Sequence, residues 1–550
     1  MKIKEMRAIT GPNVYSCRPV LVVQLDLEEL SGRESKEVHG FNERLTGMLP
    51  GLTRHHCSKD YEGGFYERLE EGTYFGHVVE HVALELTELA GVPTYHGKTR
   101  AADKPGRYNV IIEYKAEQGT KHLLRTAVGL VDALVKGEDY PIAEELDEAR
   151  RIIARTELGP STRAIVEAAT RRGIPWQRLD EQSLVQLGQG RHSKLIAAAM
   201  TSQTSALAVE IASDKDLTKR LLDRAGLPVP QGAIVHSAEE AVGVLEWLHK
   251  PVAVKPYNGH QGKGVSLNLY EPEQVAEAFQ IARAHSRDVL VEELFVGRDY
   301  RVLVVNGKLV AASERIPASI VGNGVLTIAE LIEIENCNPL RGEGHSAPLT
   351  KIEIDDVVVA HLQKSGLSLK DVPPDGQRVL LRENANLSKG GTAIDVTDAV
   401  HPQVRRVCER AAQVIGLDVC GIDLVLPDIA QPIPRGGAGI IEVNAAPGLR
   451  MHVFPSAGEP RDVGAAIVEM LYPPGSPNRI PLISVTGTNG KTTISRLIAH
   501  LLAANGQSVG LTTTDGIYVN GELIFEGFIL TTFAPDGEPI SRHPFLNVNQ

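Results

Sequence analysis

The chain has 550 residues and a formal net charge of −12, and 42% of its residues are hydrophobic. Such a composition supports globular cores, and the length predicts roughly three or four domains. The acidic balance argues against a nucleic-acid-binding surface. Five cysteines without a C-x-x-C pair predict no disulfide framework and a reducing compartment, the cytoplasm. No apolar run approaches about 18 residues, which predicts neither a signal peptide nor a membrane span.

Proline, glycine and serine clusters divide the chain into three blocks. The first block, residues 1–160, mixes expected strands (21–27, 108–114) and expected helices (75–90, 121–135). The second block is 161–472, and the proline-rich segment 473–479 predicts a linker. The third block is 480–550. The predicted fold class is a multidomain protein with α/β and α+β parts.

A short motif in the first block predicts a metal site. His77-Val78-Val79-Glu80-His81 fits H-x-x-E-H. On a helix, His77 and His81 share one face with Glu80 beside them, which suits Zn²⁺ with Glu80 as a general base. The alternative is an amphipathic helix whose apolar residues pack the domain. Groups left open as a third ligand are Glu113, Glu148 and the nearby His55-His56-Cys57.

The second block carries pieces that suit a nucleotide site, in a consistent order. Lys215 lies on a predicted helix, and Lys255 follows a predicted strand at 251–254, so both can offer positive charge to phosphates. An apolar strand at 289–294 follows and could present backbone groups to adenine and a carboxylate to ribose. Its last residues are Glu292, Glu293 and Leu294. Between the two strands lies a loop that can close over phosphates, with Gly259, His260, Gly262, Lys263 and Gly264.

Two later strands carry acids at positions that can share one face. Asp423 lies within Gly421–Val425, and Glu442 and Asn444 are two residues apart within Ile440–Asn444. Residues two apart on a strand point the same way. Together these oxygens suit Mg²⁺ bridged by ATP phosphates. For a single Asp on a strand, the alternative is a solvated edge residue.

The third block opens with a phosphate-binding loop. An apolar strand at 481–485 and a helix at 493–505 are predicted on either side of it. Glycines would turn backbone N–H groups toward a phosphate, a lysine would neutralise oxygens and a threonine could hold Mg²⁺. The loop residues are Gly487, Thr488, Asn489, Gly490, Lys491, Thr492 and Thr493. Fewer residues follow than the ~100–150 of such a domain, so we expect an incomplete unit.

The ordered pieces of the second block resemble the ATP-grasp fold of carboxylate–amine ligases. The resemblance implies that ATP phosphorylates a substrate carboxylate, and that an amine attacks the acyl phosphate. It implies Arg301, His260 and Lys263 as groups at the reacting centre. On the substrate side it implies Arg382, Asn386, Ser388, Gly390 and Gly391.

Beyond the ATP-grasp pieces, the chain up to about Gly527 resembles the cyanophycin synthetase family, in Gly72–His77, Ser183–Gly188, Gly390–Asp398 and Thr512–Tyr518. The resemblance implies that the second block adds L-aspartate to a poly-aspartate primer or polymer. A Mur-ligase-like third block would add L-arginine, an activity expected to be lost here because that block is incomplete. It further implies ATP and Mg²⁺ as cofactors, and a tetramer. The H-x-x-E-H motif of the first block, independently of this resemblance, suggests a zinc hydrolase that trims existing polymer into short primers. Two alternatives remain: a ligase of preformed Asp–Arg dipeptides, and an inactive polymer-binding fragment.

Overall fold

The computed structural model describes residues 1–9, 13–57, 59–102, 104–180, 182–257, 264–338, 340–342 and 349–526. By compactness the chain divides into two units, Met1–Leu158 and Gly159–Gln550. This division lies next to the boundary predicted at 160; the later boundaries stay predictions. Within the described residues, no helix combines the length and the apolar character that a bilayer span requires.

The first unit is an antiparallel sheet covered by helices. Its strands are β1 (Lys2–Ile9), β2 (Val20–Asp26), β3 (Gly97–Ala101) and β4 (Arg107–Glu113), in the order β1-β2-β4-β3. Its helices are α1 (Phe41–Met48), α2 (Gly64–Glu71), α3 (Phe75–Leu89), α4 (Glu117–Lys136) and α5 (Ile142–Thr156). Alternate residues of β2, among them Leu21, Val23 and Leu25, pack with α3 and α4 in one core. The strands and helices predicted for this block are therefore confirmed within a few residues.

The second unit begins with a helix and a small antiparallel sheet. The helix is α6 (Pro160–Arg171). The sheet runs in the order β5 (Trp176–Arg178), β6 (Leu184–Leu187), β7 (Lys194–Ala197) and β8 (Met200–Thr201). The helices α7 (Ala206–Ser213) and α8 (Lys215–Arg224) follow. Asp214 accepts a hydrogen bond from the backbone N–H of Leu217, and this cap fixes where α8, with its lysines, begins.

Two larger sheets of the second unit carry the nucleotide-site residues. The four-stranded sheet has the order β11-β10-β12-β9 and is covered by α9 (Ala238–Leu248) and α10 (Pro272–Arg283). Its strands are β9 (Gly232–Val235), β10 (Val252–Pro256), β11 (Ser266–Leu269) and β12 (Val289–Glu293). Since β10 and β12 match the predicted strands at 251–254 and 289–294, the two predictions are confirmed.

The five-stranded sheet has the order β19-β14-β13-β20-β21. Its central strands β13 (Arg298–Val305) and β14 (Lys308–Ile316) pair with β20 (Val419–Leu426) and β19 (Thr392–Asp395), and β21 (Gly439–Asn444) lies at the edge. The helix α13 (Pro402–Ile415) covers one face, where buried Val302, Cys408 and Leu424 belong to one core. The opposite face carries polar side chains, among them Arg301, Arg315 and Asp423.

A smaller helical insertion separates β14 from β19 in the chain. It contains β15 (Ser319–Val321), α11 (Ile328–Asn336), β16 (Arg341–Gly342), β17 (Leu349–Thr350), α12 (Asp356–Lys364) and β18 (Arg378–Leu380). The insertion has its own apolar core, which includes Ile320, Ile332 and Val358. After β21 come α14 (Arg450–Val453) and α15 (Val463–Leu471).

The prediction for the third block is partly wrong. Residues 481–485 form no strand. The helix α16 (Lys491–Ala504) begins two residues earlier than expected, and β22 (Gly510–Thr513), β23 (Gly516–Val519) and β24 (Glu522–Glu526) form a separate antiparallel sheet. A strand needs a hydrogen-bonded neighbour, and none of the described strands pairs with 481–485. The apolar sequence alone could not supply that neighbour.

Replacing Leu424 by alanine is expected to lower the free energy of unfolding of the second unit by about 2–5 kcal/mol, because it leaves a cavity in a closed core. Urea unfolding can be followed by the fluorescence of Trp176 and Trp247, both in this unit. Leu380→Ala is the matched control, since Leu380 is 42% exposed. Equal unfolding midpoints for the two variants would contradict the assignment of this core.

Candidate nucleotide and substrate site

One face of the five-stranded sheet presents a row of charged side chains. The register pairs Arg301 on β13 with Asp423 on β20, and pairs Asp423 with Glu442 on β21. Asn444, two residues after Glu442, is paired with Gly421. Residues in register or two apart project from the same face. The structure therefore brings the sequence-predicted Asp423, Glu442 and Asn444 together beside Arg301.

Asp423 is held by two arginines. Arg301 donates to both carboxylate oxygens of Asp423, and the Nη1 of Arg315 donates to Oδ2 at 3.2 Å. Burial opposes the ionisation of Asp423, but the two guanidinium groups outweigh it and lower the pKa of this carboxyl. Asp423 is therefore a carboxylate at neutral pH. Arg315 lies on β14 and was not among the residues selected from the sequence.

The oxygens of this row fit a magnesium ion chemically. Asp423 and Glu442 offer carboxylates and Asn444 an amide oxygen, which are ligand types that Mg²⁺ takes. The amide nitrogen of Asn444 is buried and has no hydrogen-bond partner among the described residues. The Nζ of Lys215 lies 3.5 Å from a Glu442 oxygen. The acids therefore lie next to a group that can meet ATP phosphates.

Three lysines converge beside these acids. Lys215 and Lys219 lie one turn apart on α8, Lys255 lies on β10, and Glu292 accepts hydrogen bonds from Lys219 and Lys255. Burial, then the neighbouring Lys255 and Lys215, lowers the pKa of Lys219 to about 6. Burial, then Lys215, lowers the pKa of Lys255 to about 8. The cluster is crowded with positive charge, which an anionic phosphate chain would relieve.

Glu293 is the last residue of β12, and Leu294 follows it. The buried carboxylate of Glu293 pairs with Lys250 and accepts a hydrogen bond from the backbone N–H of Gly437 at 3.0 Å. The Leu294 N–H donates to the carbonyl of Pro251 at 2.8 Å. Their predicted contacts with the nucleoside stay a prediction.

Part of the glycine-rich loop falls outside the described residues. Gly259, His260, Gly262 and Lys263 lie there. Gly264, at the end of the loop, has a φ of +71°, and a Cβ at this position would lie 2.5 Å from the His285 ring. A glycine is thus required where the loop rejoins β11.

A pocket of about 230 Å³ opens beside Arg301 and Arg315. The predicted substrate residues Asn386 and Ser388 line it, together with Ser161. The Oδ1 of Asn386 accepts hydrogen bonds from the N–H of Ser388 at 3.1 Å and from its hydroxyl at 2.8 Å. These contacts hold the two side chains in a tight turn at the pocket edge.

The other predicted substrate residues surround that turn. Gly390 has a φ of +92°, and a Cβ on Gly391 would lie 2.9 Å from two backbone carbonyl oxygens. Both glycines therefore shape the turn. Arg382 does not line the pocket. Its guanidinium donates to Asp355 at 2.7 Å, inside the helical insertion.

The phosphate-binding loop of the third block leads directly into α16. Gly490 has a φ of +79° and precedes Lys491, the first residue of the helix, with Thr492 and Thr493 in its first turn. The Nζ of Lys491 donates to the carbonyl of Gly487 at 2.7 Å. The loop and the positive end of the helix are present. Their binding of a nucleotide, with Thr488 and Asn489, stays a prediction.

In the first unit, the H-x-x-E-H helix lies against a cysteine. One ligand atom each from Cys57, His77 and His81 lies within 4.8 Å of the others. The Sγ of Cys57 is 3.3 Å from the Nε2 of His77, and the Nδ1 of His77 lies 3.0 Å from the hydroxyl of Thr73. Burial lowers the pKa of His77 to about 4 and that of His81 to about 2. Both imidazoles are neutral at pH 7, the form that binds metal.

The other open choices for a third ligand lie elsewhere. Glu113 pairs with Arg18 at 3.0 Å, and Glu148 pairs with Arg151 at 3.2 Å. Neither joins the cluster found among the described residues, so Cys57 is the member that the fold supplies.

Glu80 is buried next to this cluster. It accepts a hydrogen bond from the hydroxyl of Thr99 at 2.7 Å. Burial raises the pKa of Glu80 to about 7, although Thr99 and Lys98 act in the opposite direction. A carboxyl with a pKa near neutrality is suited to take up and release a proton.

His81 is fixed by Phe65, which the sequence did not single out, and by His55, which the sequence suggested only as a candidate third ligand. Phe65 stacks on its ring with centroids 3.9 Å apart, and the Nδ1 of His55 lies 3.2 Å from the Nδ1 of His81. The Nε2 of His55 in turn lies 2.9 Å from the buried carboxylate of Glu85. The i, i+4 spacing of His81 and Glu85 on α3 was the one signal available for this arrangement.

Family models match both units. Residues 22–136 match the cyanophycin synthase-like N-terminal domain, and residues 212–320 match the RimK-like ATP-grasp domain. The chain is 46% identical to the cyanophycin synthetase of Trichormus variabilis over 533 residues, which are 96% of this chain and 59% of that protein. The match to the cyanophycin synthetase of Synechocystis is 46% identical and covers 96% of this chain and 61% of that protein. This chain is a relative of the cyanophycin synthetases.

The relationship extends along nearly the whole chain, and the chain spans about three fifths of the length of those curated relatives. A bifunctional glutathione biosynthesis protein of Mannheimia succiniciproducens is 35% identical, over 57% of this chain and 42% of that protein. Among solved structures, a bifunctional glutathione synthetase from Pasteurella multocida has a TM-score of 0.49 and 30% identity, over 64% of this chain and 51% of that chain.

The matches support a multidomain fold with an ATP-grasp unit and the class of ATP-dependent carboxylate–amine ligases. ATP-grasp ligases use ATP with Mg²⁺. In this chain, Asp423 and Glu442 are paired in register, and Lys215 lies 3.5 Å from Glu442. Lys219 was not among the residues selected from the sequence, although its i, i+4 spacing from Lys215 places the two lysines on one face of a helix.

Replacing Gly421 by alanine is expected to lower kcat/KM for ligation at least about tenfold, since small misplacements of reacting groups are costly. A Cβ there would lie 2.8 Å from Pro447 and 3.1 Å from the Cδ of Arg301, so Arg301 must move. Gly243→Ala is the control, because nothing lies within 4 Å of its Cβ position. Steady-state ADP release gives kcat/KM for both variants. An unchanged kcat/KM for Gly421→Ala would contradict the requirement for glycine at this position.

Proposed function

We propose that the chain is an ATP-dependent peptide ligase of cyanophycin biosynthesis, adding L-aspartate to the C-terminal carboxylate of a polymer or primer. The observation that carries the proposal is the in-register row of Arg301, Asp423 and Glu442 beside the lysine cluster. The 46% identity with cyanophycin synthetases over 96% of this chain supports the choice of substrate.

Two sets of side chains would hold ATP and its metal. Lys215, Lys219 and Lys255 would neutralise the phosphates, and Asp423 and Glu442, with Asn444, would hold Mg²⁺. Bound there, Mg²⁺ would neutralise charge on the phosphate oxygens. The loop residues His260 and Lys263 remain predicted partners of the same phosphates.

The reaction then proceeds in two balanced steps. A carboxylate oxygen of the polymer attacks the γ-phosphorus of ATP, and ADP leaves with the electrons of the broken P–O bond. The amine of the amino acid attacks the acyl phosphate carbonyl, loses a proton and expels inorganic phosphate. Arg301, a permanent cation, is suited to stabilise the oxyanion and the phosphate that leaves.

Glu442→Gln is expected to reduce ADP formation with ATP, Mg²⁺, L-aspartate and a short Asp–Arg primer by at least about 100-fold, because it removes a metal-binding charge. Glu459→Gln, on the exposed segment before α15, is the matched control. Mass spectrometry should show one aspartate added by the wild type. If the primer grew only when the Asp–Arg dipeptide was supplied, and by whole Asp–Arg units, the chain would instead be a ligase of preformed dipeptides. Primer binding without ADP release would indicate an inactive polymer-binding fragment.

For the first unit we propose a zinc hydrolase that trims polymer into primers. Cys57, His77 and His81 form a donor set of the soft and borderline kind that Zn²⁺ prefers, and Zn²⁺ bound there would activate water. Glu80, with a pKa raised to about 7, is placed to accept a proton. Thr73 and His55 would fix the two imidazole rings.

His77→Ala and Cys57→Ser are each expected to remove most of the zinc from the purified chain, because the loss of any one of three ligands greatly lowers the affinity for zinc. Elemental analysis measures the zinc content. His39→Ala is the control, since His39 is exposed. The proposal would be contradicted if the wild-type chain contained no zinc, or if His77→Ala contained as much zinc as the wild type.

The segment Gly487–Thr493 is proposed as a second nucleotide site, and self-association as a tetramer follows from the same family relationship. Both rest on the family relationship and on the loop and helix described above.

A further inference from the structure

The helix α3 carries a second buried acid, Glu85, to which the proposed zinc site assigns no role. Glu85 lies four residues after His81, and both are buried. The Oε2 of Glu85 lies 2.9 Å from the Nε2 of His55, and the Nδ1 of His55 lies 3.2 Å from the Nδ1 of His81. These three side chains therefore form a continuous hydrogen-bonded chain. The chain ends on a histidine of the cluster with Cys57 and His77.

The position of the Glu85 carboxylate is built into the fold. A Cβ on Gly51 would lie 1.9 Å from the Oε1 of Glu85 and 2.5 Å from its carboxyl carbon. Glycine at this position therefore leaves the space that the carboxylate fills. Glu85 is 6% exposed, and a buried carboxylate is costly unless its hydrogen bonds are made. The carboxylate is thus held against His55.

Phe65 fixes the two histidines relative to each other. Its backbone N–H donates to the carbonyl of His55 at 3.1 Å. Its ring stacks on the ring of His81, with centroids 3.9 Å apart and planes 18° apart. Phe65 is fully buried, so neither contact competes with solvent. The Nδ1–Nδ1 contact between His55 and His81 is therefore a fixed feature of this core.

The carboxylate decides which ring nitrogens carry protons. A carboxylate only accepts hydrogen bonds, and a neutral imidazole has one donor and one acceptor nitrogen. The Nε2 of His55 therefore donates to Glu85, which leaves its Nδ1 to accept from the Nδ1 of His81. The other tautomer of His55 would set two acceptors 2.9 Å apart. With its proton on Nδ1, His81 keeps the lone pair of Nε2 for a metal.

His77 follows the same pattern. Its Nδ1 lies 3.0 Å from the hydroxyl of Thr73, which can accept a proton, and its Nε2 lies 3.3 Å from the Sγ of Cys57. In both histidines a protein group occupies Nδ1, so that Nε2 is the nitrogen left for an ion. A partner at the other ring nitrogen is what orients most metal-bound histidines.

We infer that Glu85 and His55 act together as positioning residues: Glu85 orients His55, and His55 holds the proton of His81 on Nδ1, so that His81 binds the metal through Nε2. The group of possible ligands among the described residues includes neither Glu85 nor His55. The inference rests on the proposed zinc site and deepens it, because it adds two residues that act through a ligand.

The test is the Kd of the metal-free full chain for Zn²⁺, measured by competition with a chromogenic chelator. Glu85→Met removes the acceptor of His55, and His55→Leu removes the link to His81. Each should raise the Kd about 10- to 100-fold, the range for losing a partner of a metal ligand. The double variant should bind Zn²⁺ no more weakly than His55→Leu alone, because Glu85 acts only through His55. Two independent losses would instead add in free energy.

Matched variants separate this role from general damage to the fold. Glu85→Gln, which keeps an acceptor oxygen, should lose less affinity than Glu85→Met. Gly51→Ala must displace the carboxylate although Glu85 and His55 both remain, and it should also weaken Zn²⁺ binding. Gly47→Ala, with nothing within 4 Å of its Cβ position, is its control. Glu88→Gln, at an exposed position of the same helix, should bind Zn²⁺ like the wild type.

The outcomes distinguish this inference from the proposed hydrolase. Zinc binding that His77→Ala abolishes, but that Glu85→Met and His55→Leu leave as tight as in the wild type, overturns the inference and keeps the zinc site. Additive losses in the double variant also overturn it. Zinc binding that depends on both residues, in a chain that cleaves no polymer, supports the inference and overturns the hydrolase. A wild-type chain that binds no Zn²⁺ overturns both.

Discussion

The register of the five-stranded sheet is the constraint on which the second unit depends. It sets Arg301, Asp423 and Glu442 side by side on three neighbouring strands. A shift of one residue in either pairing would turn an acid into the apolar core on the opposite face. Buried Val302, Ile422 and Leu424, which alternate with the polar residues, make that shift unfavourable. The hydrophobic core thereby fixes the positions of these charged side chains.

Charge is arranged in three neighbouring zones on this scaffold. Lysines from α8 and β10 form the zone that we propose for phosphates, the acids of β20 and β21 form the zone that we propose for Mg²⁺, and Arg301 and Arg315 form the third zone. Asp423 belongs to two of them, because it can accept from Arg301 or bind a metal. In the proposed mechanism, this sharing would couple the acids that hold Mg²⁺ to Arg301.

The first unit differs from the second, because several of its buried polar side chains lie along a single helix, α3. Glu80, His81 and Glu85 are all buried on α3, and unpaired polar groups at such depth would be costly. Each of them contacts another polar side chain: Thr99 for Glu80, and His55 for both His81 and Glu85. Burying several polar groups lowers the stability of a fold, and such groups are typical of functional sites.

The sequence predicted best where a local pattern determines the structure. The alternation around Asp423 and Glu442 and the helical spacing of His77 and His81 are local, and the strands and the helix form where they were expected. The strand at 481–485 was wrong because strand formation depends on a partner elsewhere in the chain.

Residues that act through tertiary contacts gave weaker signals. Arg315 and Arg450 are 135 positions apart in the numbering, on separate elements, and only the folded pocket brings them together. Cys57 precedes α3 by a long stretch, so its contact with His77 could not be derived from spacing. The i, i+4 spacing of Lys215 and Lys219 could be seen in the sequence, but a second lysine on a helix is more often exposed to solvent than buried.

The central claim, that the ATP-grasp unit activates a carboxylate as an acyl phosphate, is tested most directly by isotope transfer. A short Asp–Arg primer labelled with ¹⁸O in its C-terminal carboxylate is incubated with the chain, ATP, Mg²⁺ and L-aspartate, and the released phosphate is weighed by mass spectrometry. The account predicts one ¹⁸O atom in each inorganic phosphate formed, matched by one aspartate added to the primer. Phosphate without ¹⁸O, released at the same rate with and without primer, would contradict it.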